Sequence, residues 1–148
     1  LTVSAPDMGG SKRANAYSRH LQSEMVLCYK LRKKPNVVEE MSIIGEVEDR
    51  NVVIIDDMID TGGTLVLAAQ KMKEKGARSI RAFATHPILS GNAVERIDQS
   101  PISELVVTDS VPFANNSDKI KVLSIAGIFA RTIQAVNFNQ SISTNFVF

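Results

Sequence analysis

Short apolar, β-branched runs alternate with amphipathic stretches along the whole chain. Residues 1–4 (LTVS) read as a strand, and residues 12–22 as a helix after the turn Ala5-Pro6-Asp7-Met8-Gly9-Gly10. Residues 25–29 form a second strand candidate, and residues 37–47 a strand or hairpin edge. The run Val52-Val53-Ile54-Ile55 is apolar on every position, as in a parallel strand buried on both faces. Residues 65–75 then carry Leu65, Ala68, Ala69 and Met72 at helical spacing, with Lys71, Lys73 and Lys75 toward the end and Gly76 just past it. Residues 79–85 and 105–108 read as strands with a short helix at 93–97 between them, and residues 120–124 as a last strand. Residues 125–136 form a closing helix whose apolar stripe is Ile125, Ile128, Phe129, Ile133 and Val136, with Thr132 among them. This alternation predicts an α/β domain with a mostly parallel, Rossmann-like sheet flanked by helices, and it contains no solenoid repeat. Ligands of such sheets bind at the carboxyl ends of the strands. Asp7, Lys30, Asp56, Asp57, Thr61 and His86 all follow predicted strands, so they are expected to converge on one edge.

Between the strand at 52–55 and the helix at 65–75 lies Asp56-Asp57-Met58-Ile59-Asp60-Thr61-Gly62-Gly63-Thr64. Gly62 and Gly63 let the backbone approach a ligand, and the first-turn amides of the helix favour an anion there. Thr61 and Thr64 add hydroxyl donors. Asp56 and Asp57 would repel a phosphate, but they accept from vicinal hydroxyls or hold a divalent metal. A ligand with phosphate at one end and a diol at the other, a sugar phosphate, satisfies the loop. Asp or Thr at a helix start also serves as a plain cap. There is no G-x-x-x-x-G-K-[ST] loop and no G-x-G-x-x-G after a strand.

Composition narrows the classes. The chain has 148 residues, 44% of them hydrophobic, which suits one domain with a core. A net charge of +1 argues for neither nucleic acid nor an anionic membrane. No apolar run is long enough to span a bilayer. The single cysteine, Cys28, sits in an apolar run and reads as a buried, inert thiol in a reducing cytoplasm. Residues 30–36 (KLRKKPN) place four cations in five positions, either a solvated loop or a mobile basic loop that neutralises phosphoryl charge. His86 could act in catalysis, but a structural hydrogen bond is the commoner use of such a residue. The sequence starts at Leu1, without Met and within a strand, and is expected to be a piece of a longer protein.

Residues 52–64 resemble the signature of the phosphoribosyltransferase family: four apolar residues, two acidic, two more, then D-T-G-x-T. The form DDMIDTGGTL is closest to the ribose-phosphate pyrophosphokinase branch of that family. Other segments agree. Pro6-Asp7-x-Gly9-Gly10 matches the P-D-x-G-G loop that cups pyrophosphate, with Ala5 and Met8 where Ser and Ala are more usual. Lys30 and Arg32 match the catalytic cations of the family's flexible basic loop, although Leu31 and Lys33-Lys34 depart from its pattern. T-H-P-I-x-S-G-x-A at 85–93 matches a wall of the site. Ser141, Ser143 and Phe146 match a tail segment that lines a regulatory phosphate or nucleotide site between subunits.

The resemblance implies transfer of the diphosphate of ATP to O1 of ribose 5-phosphate, giving phosphoribosyl pyrophosphate and AMP in nucleotide biosynthesis. It implies that Asp60, Thr61, Gly62, Gly63 and Thr64 bind the 5-phosphate. Asp56 and Asp57 would hold the ribose hydroxyls, Gly9 and Gly10 the pyrophosphate, and Asp7 a Mg2+ ion. It further implies that residues 1–148 are a single domain, the C-terminal half of a two-domain enzyme, nearly inactive alone. The intact enzyme would be a cytoplasmic homo-oligomer, commonly a hexamer, with ATP and ribose 5-phosphate as its partners. A phosphoribosyltransferase that consumes the product, and a non-catalytic regulatory or assembly relative, are the rival readings. The basic loop, the P-D-x-G-G turn and the tail stand against the first. The retained Lys30 and Arg32 stand against the second.

Overall fold

The structure, a computed structural model, describes residues 1–31, 40–113 and 116–146. Its centre is a seven-stranded sheet in the order β3-β2-β1-β4-β5-β6-β7. The strands are β1 (Thr2–Ala5), β2 (Glu24–Leu31), β3 (Glu40–Ile44), β4 (Asn51–Ile59), β5 (Ser79–Pro87), β6 (Glu104–Thr108) and β7 (Ile120–Leu123). Six run parallel, and β3 alone is antiparallel, against β2 at the edge. The helices are α1 (Ser11–His20), α2 (Gly63–Glu74), α3 (Ala93–Asp98) and α4 (Ala126–Asn137). The expected α/β architecture with a mostly parallel sheet is therefore present.

Burial explains the arrangement. One face of the sheet carries the larger core, where Val52, Ile54, Ile80 and Leu105 meet Leu65, Ala69 and Met72 of α2 and Ile97 of α3. A smaller cluster of Val3, Ala5, Ala14 and Ile55 lies under α1 on the other face, flanked by Tyr17 and Phe83. β4 sits between β1 and β5, apolar toward both layers, which is why it reads as an unbroken apolar run. Cys28 is fully buried, and burial pushes its thiol up to about 11, in keeping with an inert side chain.

Two expectations need correction. β4 continues through Asp56, Asp57 and Met58 to Ile59, so the two acidic residues lie in the strand and not in the loop after it. The ladder to β5 carries on past the apolar run, pairing Asp56 with Ala84 and Met58 with His86. β2 likewise runs through Lys30 to Leu31, with Lys30 paired to Met41 of β3, so Lys30 stands on a strand and not in a basic loop. The closing helix α4 is present as expected, and it buries no residue: Ile128, Phe129, Ile133 and Val136 are exposed, Phe129 by 58% and Ile133 by 66%. The helix forms where its periodicity places it, yet its apolar stripe is not spent on this core.

Candidate functional site

The turn after β4 and the start of α2 form the floor of a cleft of about 170 Å³, lined by Asp7, Asp56 and residues 58–65. Gly62 caps α2 with φ of +72°, a left-handed conformation in which L side chains are strained. No side chain caps this helix start. Its first-turn amides therefore face the cleft as donors for an anion.

The loop is held from behind by residues 89–96. Leu89 and Ser90 donate their amides to the carbonyls of Ile59 and Asp60, both at 3.0 Å. Ser90 Oγ also donates to the Asp60 carboxylate. Arg96 donates to the Thr61 carbonyl at 2.6 Å and to Asn92 Oδ1 at 3.0 Å. Gly62 and Gly63 fit beneath this buttress: a Cβ on Gly62 would lie 3.7 Å from Ile97, and one on Gly63 3.6 Å from Arg96. Ser90 belongs to the 85–93 segment expected to wall the site, whereas Arg96 lies beyond it and carries no motif-like spacing to the loop, its pairing spanning 35 residues, so sequence reading passes over it.

At the opposite wall, Asp7 caps the 3₁₀ turn Met8–Gly10. Its Oδ1 accepts from the amides of Gly9 at 2.8 Å and Gly10 at 3.3 Å. Asp56 Oδ1 accepts from the Asp57 amide at 2.9 Å, and Asp57 Oδ1 from the Met58 amide at 3.0 Å. Arg13 of α1, a further residue that sequence reading passes over, pairs with both carboxylates, at 3.3 Å from Asp56 and 2.9 Å from Asp57. Burial, reinforced by the hydrogen bond with Asp57, pushes the Asp56 carboxyl up to about 6. Desolvation works against Asp57 as well, but its hydrogen bond with Asp56 and the Arg13 charge outweigh it and hold that carboxyl below the usual range.

A stability prediction arises here. Between the ordinary value of 3.8 and about 6, folded Asp56 binds more protons than the unfolded chain does. Stability from this group is therefore present at low pH and lost as pH rises through that window. Asp56→Asn is expected to flatten that slope and to leave the protein more stable than wild type at about pH 7. Denaturant midpoints taken across the window check this, and an unaltered slope contradicts it.

Of the residues singled out in the sequence, Asp7, Asp56 and residues 60–64 line the cleft. Gly9 and Gly10 follow Asp7 in its turn, and Asp57 is joined to Asp56 through Arg13, but these three are not among the lining residues. His86 pairs in register with Met58, and its Nδ1 lies 2.9 Å from Ser110 Oγ, which itself donates to the Thr85 carbonyl at 2.9 Å. With the hydroxyl hydrogen committed to Thr85, Nδ1–H of His86 is the donor, a structural bond. Lys30 lies on β2, two strands from β4. Arg32 falls outside the described residues. Ser141 and Ser143 hydrogen-bond one another at 2.8 Å, Asn145 reaches Thr132 of α4 at 3.3 Å, and Phe146 is exposed.

Residues 4–147 match the family model of the phosphoribosyl synthetase-associated domain. The chain belongs to that family. It is 47% identical over 148 residues to ribose-phosphate pyrophosphokinase of Porphyromonas gingivalis, covering all of this chain and 47% of that protein. The corresponding Campylobacter jejuni protein is 46% identical over 145 residues, 98% of this chain and 47% of its own length. Among solved structures, phosphoribosylpyrophosphate synthetase of Mycobacterium smegmatis superposes with a TM-score of 0.85 at 32% identity, over 93% of this chain and 45% of that one. An adenine phosphoribosyltransferase of Giardia lamblia shares the fold at a TM-score of 0.58 and 19% identity, over 72% of this chain and 67% of its own. The phosphoribosyl synthetase-associated domain described here thus spans about half the length of the curated relatives it matches.

Proposed function

We propose that this domain carries the ribose 5-phosphate and pyrophosphate side of a ribose-phosphate diphosphokinase site. The reaction moves the diphosphate of ATP to O1 of ribose 5-phosphate and releases AMP. The observation that carries the reading is one cleft with an uncapped, glycine-turned helix start on its floor and carboxylates of β4 and the Asp7 turn on its wall. The donors suit a phosphate, and the acceptors suit the hydroxyls at the other end of the same small sugar.

The amides of Gly62, Gly63 and Thr64 and the hydroxyls of Thr61 and Thr64 take the 5-phosphate. The Asp60 carboxylate accepts from Ser90, so Asp60 serves the shape of this loop. Asp56 and Asp57 accept from the ribose hydroxyls. Gly9 and Gly10 present the backbone of a tight turn to the transferred pyrophosphate. Lys30 and Arg32 supply positive charge for the nonbridging oxygens as the β-phosphorus passes from ATP to O1, a reaction governed by positioning and charge.

Among the described residues, no group of three or more His, Cys, Asp or Glu side chains could hold a metal ion. Asp7 lines the cleft, and a single carboxylate supplemented by phosphate oxygens and water is a donor set that magnesium accepts. Asp7 would hold Mg2+ there, and the bound ion would neutralise phosphate charge. The chain spans about half the length of its relatives; on this reading the adenine pocket, the oligomer and a regulatory role of Ser141, Ser143 and Phe146 are features of a two-domain enzyme. The domain alone is expected to bind the sugar phosphate weakly and to turn over poorly.

Calorimetric titration of ribose 5-phosphate, with magnesium, into this chain and into an Asp57→Asn, Thr61→Ala variant tests the reading. Binding by the wild type that drops about a hundredfold in the variant supports it, the equivalent of about 3 kcal/mol from lost charge-assisted and hydroxyl hydrogen bonds. Equal binding by both proteins removes the sugar phosphate from this loop.

A further inference from the structure

α1 reaches the site through Arg13. The Arg13 guanidinium spans two consecutive carboxylates, with Nη1 at 3.3 Å from Asp56 Oδ1 and Nη2 at 2.9 Å from Asp57 Oδ2. Asp56 and Asp57 are neighbours on β4, and each accepts one backbone amide, Asp56 from Asp57 and Asp57 from Met58, which ties down one oxygen of each; Arg13 adds a side-chain partner common to both. A planar fork with two donors fixes both at once, which a lysine ammonium on a flexible stem does not.

The placement of Arg13 is itself constrained. The turn capped by Asp7 leads directly into α1 at Ser11. Gly10 is buried there, and a Cβ on it would stand 2.8 Å from the Ala5 side chain and 3.7 Å from Arg13 Nη1. The start of α1 is thus pressed against β1, and one turn sets the position of both Asp7 and Arg13.

We infer that Arg13 is a positioning residue that holds Asp56 and Asp57 as a preformed acceptor pair for two vicinal hydroxyls, and so sets the site's preference for a diol sugar over a deoxy sugar. This inference rests on the sugar-phosphate reading of the cleft. Arg13 acts through the two carboxylates, and no contact with the ligand is required of it.

The test compares ribose 5-phosphate with 2-deoxyribose 5-phosphate, which keeps the phosphate and lacks one hydroxyl of the pair. Affinities are measured on the wild-type chain, Arg13→Gln, Arg13→Lys and the control Arg78→Gln, whose arginine pairs with Asp49 on the surface. The wild type and the control are expected to prefer ribose 5-phosphate by about tenfold, the worth of one well-placed hydroxyl. Both Arg13 variants are expected to bring that ratio close to one. A merely structural role lowers both affinities in proportion and leaves the ratio intact, so a wild-type ratio in Arg13→Gln overturns the inference alone. A wild-type ratio in Arg13→Lys overturns the fork as its cause. A wild-type chain that binds neither sugar phosphate overturns the site reading, and the inference with it.

Discussion

Gly62→Val is expected to abolish measurable sugar-phosphate binding and to weaken the fold. Gly62 holds φ at +72° at the start of α2, a region in which a β-branched residue is a genuine outlier. Strain of this kind costs about 1–3 kcal/mol. The added side chain also points toward Ile97 and Ala93, both fully buried, whose atoms already lie 3.7–3.9 Å from the position of a Cβ. Its γ-methyls must displace α3 or rotate the first turn of α2. Either movement spoils the aim of the amides proposed to receive the phosphate, and a misplacement of about 1 Å at such a site lowers performance by about a hundredfold. Gly62→Asn is the informative partner, because Asn tolerates the left-handed region. Its expected loss is small in stability and moderate in binding. Titration and denaturant unfolding of both variants check this, and full binding by Gly62→Val would show that the helix start is not the phosphate seat.

Ile54→Ala is expected to be the most damaging single truncation of the core. Ile54 is 0% exposed and pairs with Ser4 of β1 on one side and Ala82 of β5 on the other. It lies two residues before Asp56 on the strand that carries the carboxylate pair. Removing its methyl and ethyl groups loses their transfer free energy and leaves a cavity that two flanking strands keep from collapsing, about 4 kcal/mol in all. That is a large share of the stability of a domain this size. The denaturant midpoint should fall with little change in slope. Val122→Ala on the edge strand β7, where the side chain is half exposed, should cost less than about 1 kcal/mol. Comparable losses at the two positions would contradict the placement of the core on β4.

Particular elements show what was legible in the chain. The β4–turn–α2 unit is readable because three signals agree there: an apolar run, a pair of glycines and a helical stripe closed by lysines. Its boundary is not readable. Asp56 and Asp57 look like loop residues because side-chain pattern reports burial, whereas the ladder to β5 is made by the backbone and continues to the pairing of Ile59 with Pro87. Lys30 is misplaced for the same reason. Asp7, Asp56 and residues 60–64 meet as expected because parallel strands bring their carboxyl ends to one edge. Arg13 and Arg96 are invisible in sequence, since their partners lie 43 and 35 positions away and neither sits in a local motif. α4 shows the opposite limit. Periodicity reveals that Ile128, Phe129, Ile133 and Val136 share a face, but not whether this domain covers it, and among the described residues nothing buries it.

On the proposed reading a sugar phosphate sits with its phosphate on the first turn of α2 and its hydroxyls on Asp56 and Asp57. Amide chemical-shift mapping during titration of ribose 5-phosphate with magnesium tests it most directly. The expected result is a set of shifts at Gly62, Gly63, Thr64 and Asp57 that saturate with one common affinity, while the amides of α4 stay still. Shifts that leave residues 62–64 unmoved, or that gather on α4 or on residues 141–146 instead, would contradict it.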